Sequence, residues 1–530
     1  MKRVLTPLAC AVLLACQVAS AADRPNIMVL ISDDVSWPHA SAYGSKMVST
    51  PAFDAIAKQG VLFNNAICPS PGCSPSRAAF LTGRQTWMIE HAGTHASYFS
   101  PEYETFPIRL ADAGYFVGHT GKGWAPGDWK TLGGKRDPCG PKFQAKPAKG
   151  ESRYAAGFRS FLEQRPDGQP FCFWFGSTDA HRPYKFGSGL AKGMKLEEAE
   201  VPGYLPDSPE IRSDLLDYAF EVERFDDDCA TMMQMIRDAG EFENTIFIVT
   251  SDNGMPFPRA KANCYEHGIH VPLAISWPGH FPAGRTSDDL VGFVDIAATI
   301  YEASGVAPPP AKPLSGKSML AMLQSQKSGI IEPQRTEVFS ARERHSSSRF
   351  NSLGYPQRAI RTHQYLYIRN FRPERLPAGP AQKYDSVTYD AAGKPVDAQL
   401  GNAHGGYHDI DACPSLDYLI EKRDDPKFGK FLGLSVDLRP GEELFDIQRD
   451  PDCLHNLATD PEFESVRKDL HKRLTQHLEA TGDARQIDGG DIWEMYPRVS
   501  PLRWFPEPQW AKEHLDRVPI QGWVEERRPR

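Results

Sequence analysis

Four short, nearly unbroken apolar runs, each handing over at once to polar or charged residues, narrow the folds open to this chain. Asn26-Ile27-Met28-Val29-Leu30-Ile31-Ser32 ends in Asp33-Asp34, and Gly114-Tyr115-Phe116-Val117 leads towards Lys122. Phe171-Cys172-Phe173-Trp174-Phe175 leads through Gly176 and Asp179 to His181. Thr245-Ile246-Phe247-Ile248-Val249-Thr250-Ser251 ends in Asp252-Asn253-Gly254. A strand with one wet face alternates polar and apolar residues, whereas a strand covered on both faces has no need to. With helical patterns between the runs, the expected fold is α/β: a mostly parallel central sheet flanked by helices. Leu215, Leu216, Ala219, Val222, Phe225, Met232, Met235 and Ile236 recur at helical spacing and predict one long helix from Ile211 to Gly240, packed on that sheet. Ligands of such sheets bind beyond the carboxyl ends of the strands, the edge at which all four runs deliver their charges. Acidic residues there can do no more than cap the next helix. Four converging runs favour a shared site over four separate caps.

With 530 residues and 40% hydrophobic content, the chain can bury a large core and form two domains. Glu337-Val338-Phe339-Ser340 reads as a last strand of the main sheet, carrying Arg342, Glu343, Arg344 and His345 beyond its end. From Arg358 onward the pattern changes to hairpin strands, then Glu443-Leu444-Phe445-Asp446 and a helix from Pro461 to Thr481. The expected division is a main domain over 22–352 and a smaller α+β domain over 353–530 whose tail wraps the surface.

Met1-Lys2-Arg3, an apolar run from Val4 to Val18 and Ala19-Ser20-Ala21 make a signal peptide over 1–21, implying export to a bacterial periplasm. Leu13-Leu14-Ala15-Cys16 offers a lipoprotein anchor at Cys16 as the alternative. No later segment reaches membrane-spanning length, so no stable membrane insertion is expected. A net charge of −8 argues against a nucleic-acid partner, whose binding rests on phosphate neutralisation. The cysteines outside the signal have no metal-site spacing. Cys413 with Cys453 is a candidate disulfide in an oxidising compartment.

The chemistry concentrates in Cys73-Ser74-Pro75-Ser76-Arg77-Ala78-Ala79-Phe80-Leu81-Thr82-Gly83-Arg84. Pro75 pre-sets a helical φ and gives up only an N–H that would have no partner. Cys73 therefore sits at a positive helix terminus, with Arg77 one turn on along the same face. That is a nucleophile with an anion clamp. Asp33, Asp34, Asp252 and Asn253 form an all-oxygen donor set suited to calcium, or magnesium as second choice, and not to zinc.

The Cys-x-Pro-Ser-Arg string with its Leu-Thr-Gly-Arg tail resembles the signature of the type I sulfatases, in the alkaline-phosphatase-like superfamily. Arg24-Pro25-Asn26-Ile27 into Asp33-Asp34, Gly114-Tyr115 through Gly121-Lys122, Asp179-Ala180-His181-Arg182-Pro183 and Lys261 with Tyr265-Glu266 and Gly268 resemble further segments of that family. The resemblance implies that Cys73 is oxidised to formylglycine by a formylglycine-generating enzyme, and that its hydrate attacks sulfur. It further implies that the metal, Arg77, Lys122 and Lys261 stabilise sulfate charge, while His181 protonates the leaving atom. One departure stands out. Where the family has Lys-x-His, this chain has Lys122-Gly123-Trp124, leaving His119 or His267 as replacements for the missing histidine.

Asp252-Asn253-Gly254-Met255-Pro256-Phe257-Pro258 with Asn263 looks closer to the N-sulfoglucosamine sulfohydrolases (heparan N-sulfatases) than to arylsulfatases. The expected substrate is accordingly a sulfated saccharide, N-sulfoglucosamine of heparin or heparan sulfate, read by Arg342, Glu343, His345 and His267. An O-sulfatase on another sulfated glycan is the alternative. From other classes come a phosphomonoester or phosphonate-ester hydrolase and a silent glycan-binding protein. Oligomeric state is left open by the sequence.

Overall fold

A computed structural model describes residues 24–389 and 395–513. The signal peptide, the cleavage near Ala21 and the lipoprotein alternative at Cys16 lie outside the described residues. In chain order the first nine strands are β1 (Asn26–Ser32), β2 (Val61–Phe63), β3 (Ala66–Ile67), β4 (Phe116–Gly121), β5 (Phe171–Gly176), β6 (Thr245–Ser251), β7 (Leu273–Ser276), β8 (Arg285–Ser287) and β9 (Val291–Gly292). Among the described residues, seven form the central sheet in the order β4-β5-β1-β6-β7-β2-β8, and β3 pairs with β9. β4, β5, β1 and β6 are parallel neighbours, and they are the four apolar runs. Only β7 breaks the pattern, running antiparallel to both β6 and β2.

Both faces of these strands are covered, which is why their sequences do not alternate in polarity. Ile27, Val29, Ile31, Trp174, Ile246 and Ile248 pack on one side with Phe80 and Leu81. Met28, Leu30, Phe173, Phe175, Phe247 and Val249 pack on the other with Phe225, Met232 and Ile236 of the long helix Pro209–Asp238. Each such side chain contributes about 1.5–3 kcal/mol by leaving water. The helix starts where Ser208 accepts the N–H of Ile211 and Pro209 fills the first turn. Its Asp226 accepts the N–H groups of Ala52 and Phe53 at the start of helix α1 (Pro51–Gln59). Strand register sets up the site: Ile31 lies level with Gly176 and Thr250, Ser32 with Ser251, and Gly121 with Gly176. Asp33, Asp252 and Lys122 therefore emerge side by side.

The remaining strands are β10 (Val338–Arg342), β11 (Gln357–Arg361), β12 (Tyr365–Asn370), β13 (Tyr384–Tyr389), β14 (Pro395–Leu400) and β15 (Glu442–Asp446). β10, β11, β12 and β15 form an antiparallel sheet in that order, and β13 and β14 form a separate hairpin. Val338–Arg342 is thus an edge strand of the second sheet, not the last strand of the main one. Its sequence neighbour β11 offers a complete local partner, and the Ala341 N–H to Pro69 carbonyl bond is one of its links to the main body. The helix Glu464–Ala480 covers this sheet through Leu470, Leu474 and Leu478 against Ile360, Tyr367 and Leu444.

The disulfide expectation is corrected: Cys413 and Cys453 are both free and buried. They lie in different hydrophobic cores, and the Cys413 sulfur accepts the Leu416 N–H at 3.4 Å. No helix among the described residues is long and apolar enough to cross a membrane.

Two buried polar groups carry consequences for stability. Arg358, completely buried, forks onto Asp483 through two 2.8 Å bonds and reaches Glu343 at 2.8 Å. Arg358→Ala strands the buried Asp483 carboxylate and takes one of two arginines from Glu343, and is expected to cost about 3–5 kcal/mol, read as a fall in the urea midpoint. His39 bonds the Tyr218 hydroxyl at 3.0 Å, and burial, with His267 adding to it, pushes its imidazole down to about 3. An unfolded imidazole takes its proton near 6.5. The unfolded chain then binds more protons between those values, and stability falls as pH drops through that window. His39→Asn is expected to flatten the acid side of a Tm-against-pH curve.

Candidate active site

Helix α2 (Cys73–Thr82) begins at Cys73 and ends at Gly83, whose φ of 67° closes the last turn through its N–H to Ala79. Every residue of α2 is buried. Burial pushes the Cys73 thiol up to about 11; Lys122 pulls it down while Asp33 and Asp252 push further. At neutral pH the unmodified sulfur is thus a thiol and a weak nucleophile, in spite of its helix terminus. Arg77 is turned away from solvent. Its Nε donates to Asp252 Oδ2 at 2.6 Å and a terminal nitrogen donates to the Lys122 carbonyl at 2.9 Å. It fixes a carboxylate and the Lys122 loop in place. Gly176 makes this approach possible, since a Cβ there would meet the Lys122 carbonyl at 1.8 Å and an Arg77 nitrogen at 2.8 Å.

The carboxylates converge as the register demands. Asp34, with φ of 71°, donates its N–H to Asp252 Oδ1 at 3.1 Å, and its own Oδ1 accepts the Asn253 amide N–H at 2.7 Å. Asp33, Cys73 and Asp252 place one ligand atom each within 4.8 Å of one another. Burial alone would raise the Asp33 carboxyl, but Lys122, His181, Arg77 and Lys261 hold it well below its usual range. Burial, opposed by Arg77 but reinforced by Asp33 and Asp34, pushes Asp252 up to about 7. The Asn253 Oδ1 is buried without a hydrogen-bond partner. Three carboxylates and one orphaned amide oxygen fit a hard divalent cation.

The cations line the same edge. Lys122 Nζ donates to both Asp33 oxygens at 2.9 and 2.6 Å, and Lys261 Nζ donates to Asp34 Oδ2 at 2.6 Å and Asp411 Oδ2 at 2.8 Å. His181 stands 4.0 Å from Asp34 Oδ2 with its side chain one-third exposed, and its Nδ1–H donates to the Arg182 carbonyl at 2.6 Å. Arg182 grips Asp214 with two 2.8 Å bonds, anchoring the His181 loop to the long helix. Asp34, His181 and Asp411 form a second group within 4.8 Å.

Of the residues read as substrate contacts, His345 borders the start of α2: its ring packs on Gly72 and lies 4.7 Å from the ring of His95. Arg342 is spent on Asp409 at 2.6 Å and Asn263 at 3.1 Å, buried below the surface. Glu343 is corrected to a structural role, because Arg358 and Arg485 enclose it at 2.8 Å each. His267 is corrected likewise. Its ring pairs with Asp452 at 3.3 Å, and its carbonyl would lie 1.9 Å from a Cβ at Gly254, beneath the Asp252-Asn253 loop. His119 hydrogen-bonds the Gly140 carbonyl at 2.9 Å. Trp124 is buried, its indole N–H donating to the Ser74 carbonyl at 3.0 Å and bracing the first turn of α2.

Three residues at the site carried no usable signal in the sequence. His95 places Nε2 3.2 Å from Cys73 Sγ, Arg498 lies 3.4 Å from His95 Nδ1, and Asp411 holds Lys261. His95 stands in a loop 22 residues after Cys73 and four after His91, and neither spacing ties it to position 73.

With this geometry in view, the sulfatase family model matches residues 25–306, more than half of the chain. This chain belongs to the sulfatase family. It is a sulfate ester hydrolase with the alkaline-phosphatase-like arrangement of sheet and helices. A second family model, N-sulphoglucosamine sulphohydrolase C-terminal, matches residues 260–375. Among relatives, the N-sulphoglucosamine sulphohydrolase of Homo sapiens is 28% identical over 94% of this chain and 98% of its own. An ulvan-active sulfatase of Formosa agariphila is 26% identical over 89% of this chain and 77% of its own. The fold is shared with a protein solved in complex with its substrate D-glucosamine-2-N,6-O-disulfate, with a TM-score of 0.61 and 18% identity over 89% of this chain and 99% of that one.

Proposed function

We propose that this sulfatase is exported to the periplasm and removes the N-sulfate of N-sulfoglucosamine in heparin-type saccharides. The observation that carries this reading is the N-sulphoglucosamine sulphohydrolase C-terminal match over 260–375. It spans Lys261, which reaches the cation site, and His345, which packs beside the nucleophile position. The human relative of that name, aligned over nearly the whole of both chains, supports it. Oxidation of Cys73 by a formylglycine-generating enzyme completes the reading. The hydrated aldehyde supplies a geminal diol, one oxygen for attack on sulfur and the other for release of sulfate. Asp33, Asp34, Asp252 and Asn253 would hold a calcium ion, or magnesium, and the ion would supply positive charge beside the sulfate.

The chain's own residues do the rest. Lys122 and Lys261 stand on two sides of the cation ligands and offset charge growing on the sulfate oxygens. Arg77 keeps Asp252 and the Lys122 loop in register. His181, one-third exposed at the site, delivers a proton to the leaving nitrogen, which the substrate's sulfamate needs in order to depart as an amine. Asp411 orients Lys261 and leaves part of its carboxylate open for sugar hydroxyls.

Sulfate and free-amine release from heparin disaccharides differing only in N-, 2-O- and 6-O-sulfation tests the reading. The expected result is equimolar sulfate and amine from every N-sulfated member. Release from O-sulfated members alone would replace it with the O-sulfatase reading, which the ulvan-active relative favours. Phosphate release from a matched monoester, with no sulfate from any saccharide, would overturn both.

A further inference from the structure

Lys122-Gly123-Trp124 brings no histidine to position 73, and the structure brings one there from another direction. His95 lies in the loop after the 3-10 turn Glu90–Gly93, with Nε2 3.2 Å from Cys73 Sγ. That sulfur stands where an oxygen of the formylglycine hydrate would be. The loop is tied down on both sides of the ring. The His95 N–H donates to the Arg344 carbonyl at 3.1 Å, and the Ala96 N–H donates to Ser74 Oγ of α2 at 3.1 Å.

The other ring nitrogen faces Arg498, whose terminal nitrogen is 3.4 Å from His95 Nδ1 and 3.0 Å from the His345 carbonyl. A guanidinium can only donate. Nδ1 must therefore accept, which in a neutral ring puts the proton on Nε2. We propose that His95 is a fixed hydrogen-bond donor to the oxygen at position 73, held in its Nε2–H tautomer by Arg498, a donor at the position that the histidine absent at Trp124 would contact. The proposal rests on the formylglycine reading above.

The surroundings agree with a neutral ring. Burial first, then His345, Arg498, Lys122 and Lys261, lower the His95 imidazole well below its ordinary value. In that tautomer Nε2 has no lone pair with which to take a proton, so His95 acts by donating to charge at position 73 and not as a base. The alternatives are occupied: the Trp124 indole N–H is used on Ser74 and His119 is used on Gly140.

Two experiments test the assignment. Selective 15N-histidine labelling of the full chain, with His95→Gln to assign the signal, reads the tautomer from two-bond proton–nitrogen couplings. Nε2–H is expected; Nδ1–H or a doubly protonated ring at neutral pH overturns the proposal. In kinetics, His95→Ala is expected to lower kcat by about 10²–10³ with KM little changed, as for loss of one oxyanion donor. His95→Gln, whose amide N–H reaches the same point, is expected to recover most of the loss and keep the wild-type pH profile. Equal loss in both variants, or full activity in His95→Ala, overturns the proposal, with Tm and the mass of position 73 checked in each. A wild-type protein that releases no sulfate would sink the function above instead, and the tautomer would still decide the case for His95.

Discussion

Cys73→Ala is expected to abolish sulfate release, by on the order of 10⁴- to 10⁶-fold, the scale on which covalent catalysis fails when its nucleophile is removed. The fold should survive, because the change deletes one sulfur at the start of a helix whose other residues stay packed. Cys73→Ser is the sharper variant. A serine hydroxyl can at most be sulfated once, having no second oxygen on the same carbon to expel the sulfate. Both variants should melt within a few degrees of the wild type and turn over nothing. Residual turnover by Cys73→Ser near the wild-type rate would place the nucleophile elsewhere. The energetics support the expectation: a thiol pushed up to about 11 by burial has little thiolate to offer at neutral pH.

Cation binding carries the second large effect. Three buried carboxylates and the unpartnered Asn253 Oδ1 lie at one sheet edge, each carboxylate paired with one of Lys122, Lys261 and Arg77. A cation that binds the folded chain stabilises it by mass action, by about 2.7 kcal/mol at a hundredfold excess over Kd. Calcium added to chelator-treated protein is therefore expected to raise Tm saturably and to restore activity, with magnesium needed at higher concentration. In Asp252→Ala both responses should vanish. A wild-type Tm indifferent to calcium and magnesium, with activity unchanged by chelation, would contradict the site.

What could be read from the sequence is what is local. β1, β4, β5 and β6 announce themselves because strands covered on both faces are apolar throughout. Asp33, Asp34, Asp252 and Asn253 follow those strands directly, so the register carries them together without help from distant chain. The long helix is equally legible from its period. Tertiary partners explain the rest. β10 looked like a strand of the main sheet because its composition says nothing of which edge it joins; β11 decides that. Glu343 and Arg342 looked available to a sugar, yet Arg358, Arg485 and Asp409 claim them from segments far along the chain. His95 and Arg498 meet at position 73 from loops separated by 403 residues. Trp124 marked the absence of a histidine, but nothing in the sequence pointed to its replacement.

The most direct test of the whole account is the mass of the peptide carrying position 73, in active protein purified from its native host. An aldehyde or its hydrate is expected in place of the cysteine thiol, present in proportion to the sulfate-releasing activity of the preparation. An unmodified thiol in protein that releases sulfate at full rate would contradict it.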